Sequence, residues 1–513
     1  MKVFTAAQIR LWESQTLQHE DISSLTLMQR AATACYQWIV ENFKEQRPAC
    51  FHVCCGRGNN GGDGLALAAL LLQDGYQVNT YLLPATVKQS ADFETNLHGL
   101  VKLNSPIIHL ASEADFPVLK KDDCVVDALF GIGLNRPLQG LPAQLVAHIN
   151  DAQCTVLSID VPSGMFTDES SRDLPKVHAT HTLSFQHYKT CFLLPENAEA
   201  AGELHLLDMG LEEAFALQEP AAYSVIDKKL VQAIYKPRKR FAHKGNFGHA
   251  LLLAGSIGKM GAAVLAAQGC LRSGAGLLTV HVPGGTENIL QITTPEAMVV
   301  TGEPGNLDGY AAVGIGPGWG TSATAVLLLQ RILTPAVPSD APNKTRGFVV
   351  DADALNVLSV HKELLLQLPA GAALTPHPKE FERLFGKTNN DFDRIALALQ
   401  KANEHNCYIL LKGHHSFIAC PDGQGYFNST GNAGMATGGS GDVLTGMLAG
   451  LLAQGYNPLH ACILGVYLHG LAGDFAAANH SQEAMLAGDI TRSIGAAFAE
   501  LGVDGCQLAA GGW

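Results

Sequence analysis

The stretch NSTGNAGMATGGSGDVLTGMLAGLL, residues 428–452, places one carboxylate, Asp442, directly after the glycines Gly438, Gly439 and Gly441. Glycine lets a backbone curl its N–H groups toward one point. Val443, Leu444, Met447, Leu448, Leu451 and Leu452 then recur at helical spacing, so the pattern predicts a glycine turn opening a buried helix. Such an opening offers unpaired N–H groups and the positive end of the helix dipole to a phosphoryl group. A carboxylate there would repel phosphate, and its chemical use is to take a proton from a hydroxyl attacking the phosphoryl group. The bland reading makes Asp442 an ordinary first-turn carboxylate and the glycines a means of close packing.

A second candidate lies in GRGNNGGDG, residues 56–64, between the apolar run Cys50–Cys55 and the apolar helix expected over Leu65–Gln73. Strand, glycine-rich turn and helix in that order hold phosphates and dinucleotides at the carboxyl edge of parallel α/β sheets. Asn59, Asn60 and Asp63 add side-chain oxygens and amides where a plain phosphate loop needs only backbone. DDCVVDALF, residues 122–130, ends a strand at Asp127 before the turn GIGLNRP, residues 131–137. Another strand, Cys154–Asp160, runs into DVPSG, residues 160–164. Strand ends line up along one edge of a parallel sheet, so Asp127 and Asp160 should approach the Asn59–Asp63 turn. A lone aspartate after a strand is usually a cap or turn residue; three converging turns favour a site.

The elements that must position these groups alternate in type. Two helices over Thr5–Glu20 and Ser24–Glu45 and a strand over Gln77–Leu83 complete the first series. Residues 210–245, with the basic cluster KPRKR at 236–240, read as an inter-domain crossing. A second α/β series follows, with strands at His249–Ala254 and Leu277–Val282 and a helix at Met260–Leu271. GIGPGWG, residues 314–320, comes after the apolar run Tyr310–Val313, and VVDADALNVL and TPHPKEFERLF occupy 349–358 and 375–385. ILLKGHHSFIA, residues 409–419, reads as a strand, a Lys-Gly turn and a returning strand, in which Lys412 could meet a nucleotide phosphate as a point charge and Ser416 could hydrogen-bond it. His377 precedes a proline where a helix cannot yet have begun; helix start and ligand contact are both open to it.

At 513 residues the chain exceeds one core, and two large domains fit best. Hydrophobic residues at 47% and charged residues at 16% allow a sizeable interior. A net charge of -13 argues against a nucleic-acid or anionic-membrane surface, so an anionic ligand must be held locally. The 12 cysteines show no CxxC spacing and are expected as reduced thiols in a cytoplasm. No export signal or membrane-inserting segment is expected.

Taken together, GRGNNGGDG, DALFGIGLNRP and DVPSG in the first half and GIGPGWG, DADALN, TPHPKE, LKG and NAGMATGGSGDVLTG in the second closely resemble the bifunctional NAD(P)H-hydrate repair enzyme family over essentially the entire chain. The resemblance implies an N-terminal Rossmann-like three-layer α/β domain over 1–215 that interconverts R and S forms of hydrated NADH and NADPH. It also implies a C-terminal ribokinase-like α/β domain over 225–508 that dehydrates the S form with ADP. By the same resemblance, Asn59, Asn60, Gly61, Gly62 and Asp63, the turn Gly131, Ile132, Gly133, Leu134, Asn135, Arg136 and Pro137, and Asp160 would hold the hydrate. Asn60, Asp127 and Ser163 would bind K+, and Asp160 would be the acid/base group. In the second domain Ala262, Ala263, Gly316, Gly318, His377 and Asp442 would contact the hydrate. Lys412, Gly413, His414, His415, Ser416 and Gly441 would contact ADP, which enters with Mg2+. Asp442 would deprotonate the hydroxyl as it attacks the terminal phosphoryl group. A cytoplasmic homo-oligomer without nucleic-acid or membrane partners is implied as well. Two other readings stand beside this one: a ribokinase-like small-molecule kinase that releases a stable phosphate ester, and a first domain that holds a nucleotide without turnover.

Overall fold

The computed structural model describes residues 1–85, 89–304, 307–333 and 346–502. The chain divides into two compact units, one spanning Lys2–Ala221 with Asn390–Phe392, the other Ala222–Asn389 and the chain from Asp393 onward. The C-terminal limit of 508 expected for the second domain lies outside the described residues.

In the first unit short apolar β-rich runs alternate with helices, and the outcome is a 7-stranded sheet. Its order is Ile107–His109, Val78–Leu82, Phe51–Cys55, Cys124–Ala128, Thr155–Ile159, His181–Phe185 and Glu203–Leu207. Every pairing is parallel. The period of two sorts side chains to opposite faces. Phe51, Val53 and Cys55 enter one core with the helices Ser24–Asn42 and Asn59–Gln73, while Cys54 and Val125 enter another with Leu141–Asn150. This is the three-layer Rossmann-like architecture. Strand order reverses between Phe51–Cys55 and Cys124–Ala128, which opens a crevice at their carboxyl ends.

The second unit is also built on a mainly parallel sheet. From Tyr408–Leu411 it runs through Ala373–Leu374, Gly347–Val350, Ala312–Ile315, His249–Leu253 and Leu277–His281 to Met298–Val300, all parallel. On the other side Phe417–Ala419 pairs antiparallel with Tyr408–Leu411, the returning strand expected at residues 409–419. Strand order again reverses beside His249–Leu253. The stretch 210–245 is not simply a linker, because Tyr223–Ile226 and Lys228–Ile234 form a strand and a helix of this unit; the basic cluster 236–240 is exposed and irregular.

The helix Ser440–Ala453 sits at the centre of this unit's core, packed on Met260–Arg272. A Cβ on Gly446 would lie 1.9 Å from the Ala266 carbonyl oxygen, so glycine there permits contact close enough to involve the backbone. Pro458–His480 is apolar and long enough to cross a membrane, but 72% of its window is buried in this core. No disulfide joins the described cysteines. Gly446→Ala should destabilise the protein by about 1–3 kcal/mol through overpacking, read by urea denaturation. An unchanged midpoint would contradict the close helix approach.

Candidate active sites

In the first unit the Asn59–Gln73 helix begins earlier than the sequence suggests, so Asn59 to Gly64 form its first turns rather than a loop. The reason is steric. A Cβ on Gly61 would lie 2.0 Å from the Gly56 carbonyl oxygen, and one on Gly56 would lie 1.9 Å from that of Leu129, so these glycines press the helix start against the strand ends.

Asp127 is fully buried beside that start. Its Oδ1 accepts from Ser163 Oγ (2.5 Å) and Leu129 N (3.3 Å), its Oδ2 from Ser158 Oγ and Ser163 N (both 2.8 Å). Burial pushes its carboxyl up, and these hydrogen bonds oppose the shift. Asn60 is different: both side-chain polar atoms are buried without a hydrogen-bond partner. Gly131 lies between Asn60 and Asp160, since a Cβ there would stand 3.3 Å from Asn60 Oδ1 and 3.2 Å from Asp160 Oδ2. The structure thus brings Asn60, Gly131 and Asp160 together. Gly133, Asn135, Arg136 and Pro137 stay exposed farther along the turn.

Asp160 follows its strand in the left-handed region, φ 67°, an uncommon conformation for a residue with a Cβ. Its Oδ1 is 2.8 Å from Lys189 Nζ, whose side chain is 1% exposed and also donates to Ser184 Oγ at 2.6 Å. No sequence spacing links Lys189 to Asp160; the parallel neighbour strand His181–Phe185 brings it there. Glu13, from the first helix, was missed as well. Burial, reinforced by Asp160 and opposed by Lys189 and Arg10, pushes its carboxyl up to about 7. Asp63 is raised by burial first and then by Asp160 and Glu13.

In the second unit Asp351 ends the strand Gly347–Val350 and is 1% exposed. Its Oδ1 accepts from Lys412 Nζ (2.8 Å) and its Oδ2 from Thr445 Oγ1 (2.7 Å). Lys412 therefore has an internal partner as well as any phosphate. Burial opposes its charge, but Asp351, Glu380 and Asp442 outweigh that and raise its pKa. Gly441 lies beside the pair, its notional Cβ 3.3 Å from Lys412 Nζ. Asp442 occupies the first turn of the helix that Gly439 caps at φ 94°. Burial first, then Asp351 and Asp353 against Lys412, lifts the Asp442 carboxyl to about 6.

The remaining residues divide. Gly318 adopts φ 58°, and a Cβ there would meet Ala262 Cβ at 2.9 Å; Gly316 adopts φ 124°, and a Cβ there would stand 1.9 Å from the Asp351 carbonyl oxygen. Ala263 is wholly buried in the core, leaving its backbone for any ligand contact. His377 caps the helix Pro378–Phe385, its Nδ1 accepting from Lys379 N and Glu380 N, and Glu380 in turn lies 4.0 Å from Lys412. Ser416 exchanges hydrogen bonds with Gly413 in the Lys-Gly turn, and His414 and His415 pack ring against ring there. The signal that marks Asp127 and Asp160, a carboxylate at the end of an apolar strand, also fits Asp351, to which the sequence alone assigns no role.

Two outcomes are expected. Lys189→Met, which strands the Asp160 charge, should cost about 3–5 kcal/mol in urea denaturation, and a Lys189→Met/Asp160→Asn double variant should recover much of it; parental stability of the single variant would show the pair to be energetically idle. The raised Glu13 carboxyl makes the fold lose stability as pH rises from about 4.5 to about 7. Glu13→Gln should therefore be more stable than the parent at alkaline pH and lose that advantage in acid, and an equal effect in both would contradict it.

Residues 24–191 match a family model described as YjeF-related protein N-terminus, and residues 250–495 match one described as NAD(P)H-hydrate dehydratase. The bifunctional NAD(P)H-hydrate repair enzyme of Moorella thermoacetica is 36% identical, the alignment covering 96% of this chain and 95% of that relative. The protein of the same name from Escherichia coli K12 is 32% identical over 96% and 93% of the two chains. A crystal structure of an ADP/ATP-dependent NAD(P)H-hydrate dehydratase from Bacillus subtilis, co-crystallized with ATP/Mg2+, is 30% identical with a TM-score of 0.46, covering 54% of this chain and 98% of that one. With both halves matched in order and more than a third of residues identical across nearly the full length, the chain belongs to the bifunctional NAD(P)H-hydrate repair enzyme family.

Proposed function

We propose that the first unit interconverts the R and S forms of hydrated NADH and NADPH, and that the second dehydrates the S form with ADP as phosphoryl donor. The observation that carries the reading is Asp442, at a glycine-opened helix start beside the Asp351–Lys412 pair. It combines an anion-attracting backbone with a carboxylate poised near neutrality. Hydroxide is a poor leaving group and phosphate a good one. Asp442 takes the proton from the ring hydroxyl, whose oxygen attacks the terminal phosphorus of ADP as AMP departs with the bridging oxygen. Loss of phosphate from the ring carbon, with a proton from its neighbour, then restores the double bond. Gly441 and Lys412, which lie side by side, would receive the phosphates, and Asp351 and Thr445 hold Lys412 and the helix in register. Mg2+, arriving with the nucleotide, would be held by phosphate oxygens, water and the carboxylate of Asp353, and would neutralise charge on the phosphates.

In the first unit Asp160 moves the proton at the hydroxyl oxygen, whether inversion proceeds by ring opening or by reversible loss of the hydroxyl. Lys189 orients that carboxylate. K+ fits beside Asn60, whose buried amide oxygen lacks a partner. Asp127 already accepts four hydrogen bonds and would supply charge at close range, with Ser163 completing the set. The ion would fix the strand-end turns.

The test is recovery of reduced-nicotinamide absorbance from a mixed R/S NADH hydrate with Mg2+, K+ and either ADP or ATP. Full recovery with release of phosphate is expected. A stable phosphate ester would instead indicate a small-molecule kinase, and a halt at half recovery would sink the epimerase. Asp442→Asn should lower dehydration kcat by about 10²–10⁴-fold. Because Asp442 must be ionised to act, kcat/KM should fall about tenfold per pH unit below about 6, and a flat acid limb would exclude it as the base.

A further inference from the structure

One cluster belongs to neither site. The strands His181–Phe185 and Glu203–Leu207 lie together at one edge of the 7-stranded sheet, with His181 opposite Glu203 and Leu183 opposite His205. The two-residue period puts His181, Glu203 and His205 on one face. Nδ1 of His181 lies 3.1 Å from Nε2 of His205 and 3.5 Å from Oε2 of Glu203, and Nε2 of His205 lies 3.9 Å from Oε1 of Glu203. Ligand atoms held at about 2.0–2.1 Å around a tetrahedral ion stand about 3.3–3.4 Å apart, so the three side chains already approximate three corners of such a site. Trp38 packs against both rings, its centroid 5.1 Å from that of His181 and 4.6 Å from that of His205, and so limits their rotation. Glu203, 67% exposed, leaves the opposite side open to solvent. A hydrogen bond between two imidazoles accounts for one of the three short distances; it gives no reason for a carboxylate to stand within reach of both nitrogens.

We propose that His181, His205 and Glu203 form a binding site for a divalent transition-metal ion, with zinc as the representative, and with water as the fourth ligand. Two imidazoles and one carboxylate suit zinc, nickel or copper. They do not suit Mg2+, which takes oxygen ligands and keeps its waters, so this site is chemically separate from the nucleotide's metal. Occupancy would tie the edge strand to the strand bearing Ser184, the partner of Lys189.

The experiment titrates chelator-stripped full-length protein with Zn2+ against a chromophoric chelator, and with Co2+ followed by its visible spectrum. A single tight equivalent, intense tetrahedral Co2+ bands and quenching of Trp38 fluorescence by Cu2+ are expected. His181→Asn and His205→Asn should each weaken Zn2+ binding by at least about tenfold. Glu203→Gln, at an exposed position that does not threaten folding, should weaken it as well. Absence of tight Zn2+ binding, or binding that all three substitutions leave unchanged, would reduce the cluster to a histidine–histidine hydrogen bond and overturn the proposal.

Discussion

A carboxylate held against a lysine at the carboxyl end of a parallel sheet is the interaction on which each unit's site depends. Asp160 meets Lys189 and Asp351 meets Lys412, each at 2.8 Å. A hydroxyl fixes each pair further, Ser184 accepting from the lysine in one and Thr445 donating to the carboxylate in the other. Such pairs do little for net stability, because desolvating two charges consumes most of their attraction. Their consequence is local. Each pair stands beside a carboxyl that burial raises and that the pair's own carboxylate raises further: Glu13 to about 7 beside Asp160, Asp442 to about 6 beside Asp351. A carboxyl raised in this way can give or take a proton near neutrality.

Close backbone approach is the second constraint, and glycine supplies it in both units. Gly56 and Gly61 seat the Asn59 helix against the strand ends, and Gly316 does the same for the turn over Asp351. Gly446 lets the Asp442 helix settle onto the helix Met260–Arg272. A methyl group at any of these points would meet a carbonyl oxygen at about half of a normal contact distance. The glycines thus set how far each helix start sits from the sheet edge, and so where its N–H groups can receive a ligand.

Much of this was legible beforehand because it follows from local rules. Apolar runs of strand length and helical periodicity located Phe51–Cys55, Thr155–Ile159, His249–Leu253 and Ser440–Ala453 to within a residue or two. The start of the Asn59 helix was misplaced because Gly61, Gly62 and Gly64 are poor helix formers, and their use in tight packing is invisible without the strand they pack on. His377 shows the same limit: the proline after it announced a helix start, while its twofold capping role needed the folded turn.

The sequence by itself determined two α/β units, the glycine-rich turns at their centres, and the carboxylates Asp127, Asp160 and Asp442, because period, turn chemistry and strand ends are properties of neighbouring residues. It also carried the family, through long ordered motifs in both halves. Only the tertiary structure decided which charges face one another. Lys189 reaches Asp160, Lys412 reaches Asp351, Glu13 joins the first site from the opening helix, and His181 finds His205 across two parallel strands. These partners are separated by between 24 and 147 residues. Coulombic and hydrogen-bonding energies depend on distance in space, and crossover connections in parallel sheets set that distance without leaving a periodic trace in the chain.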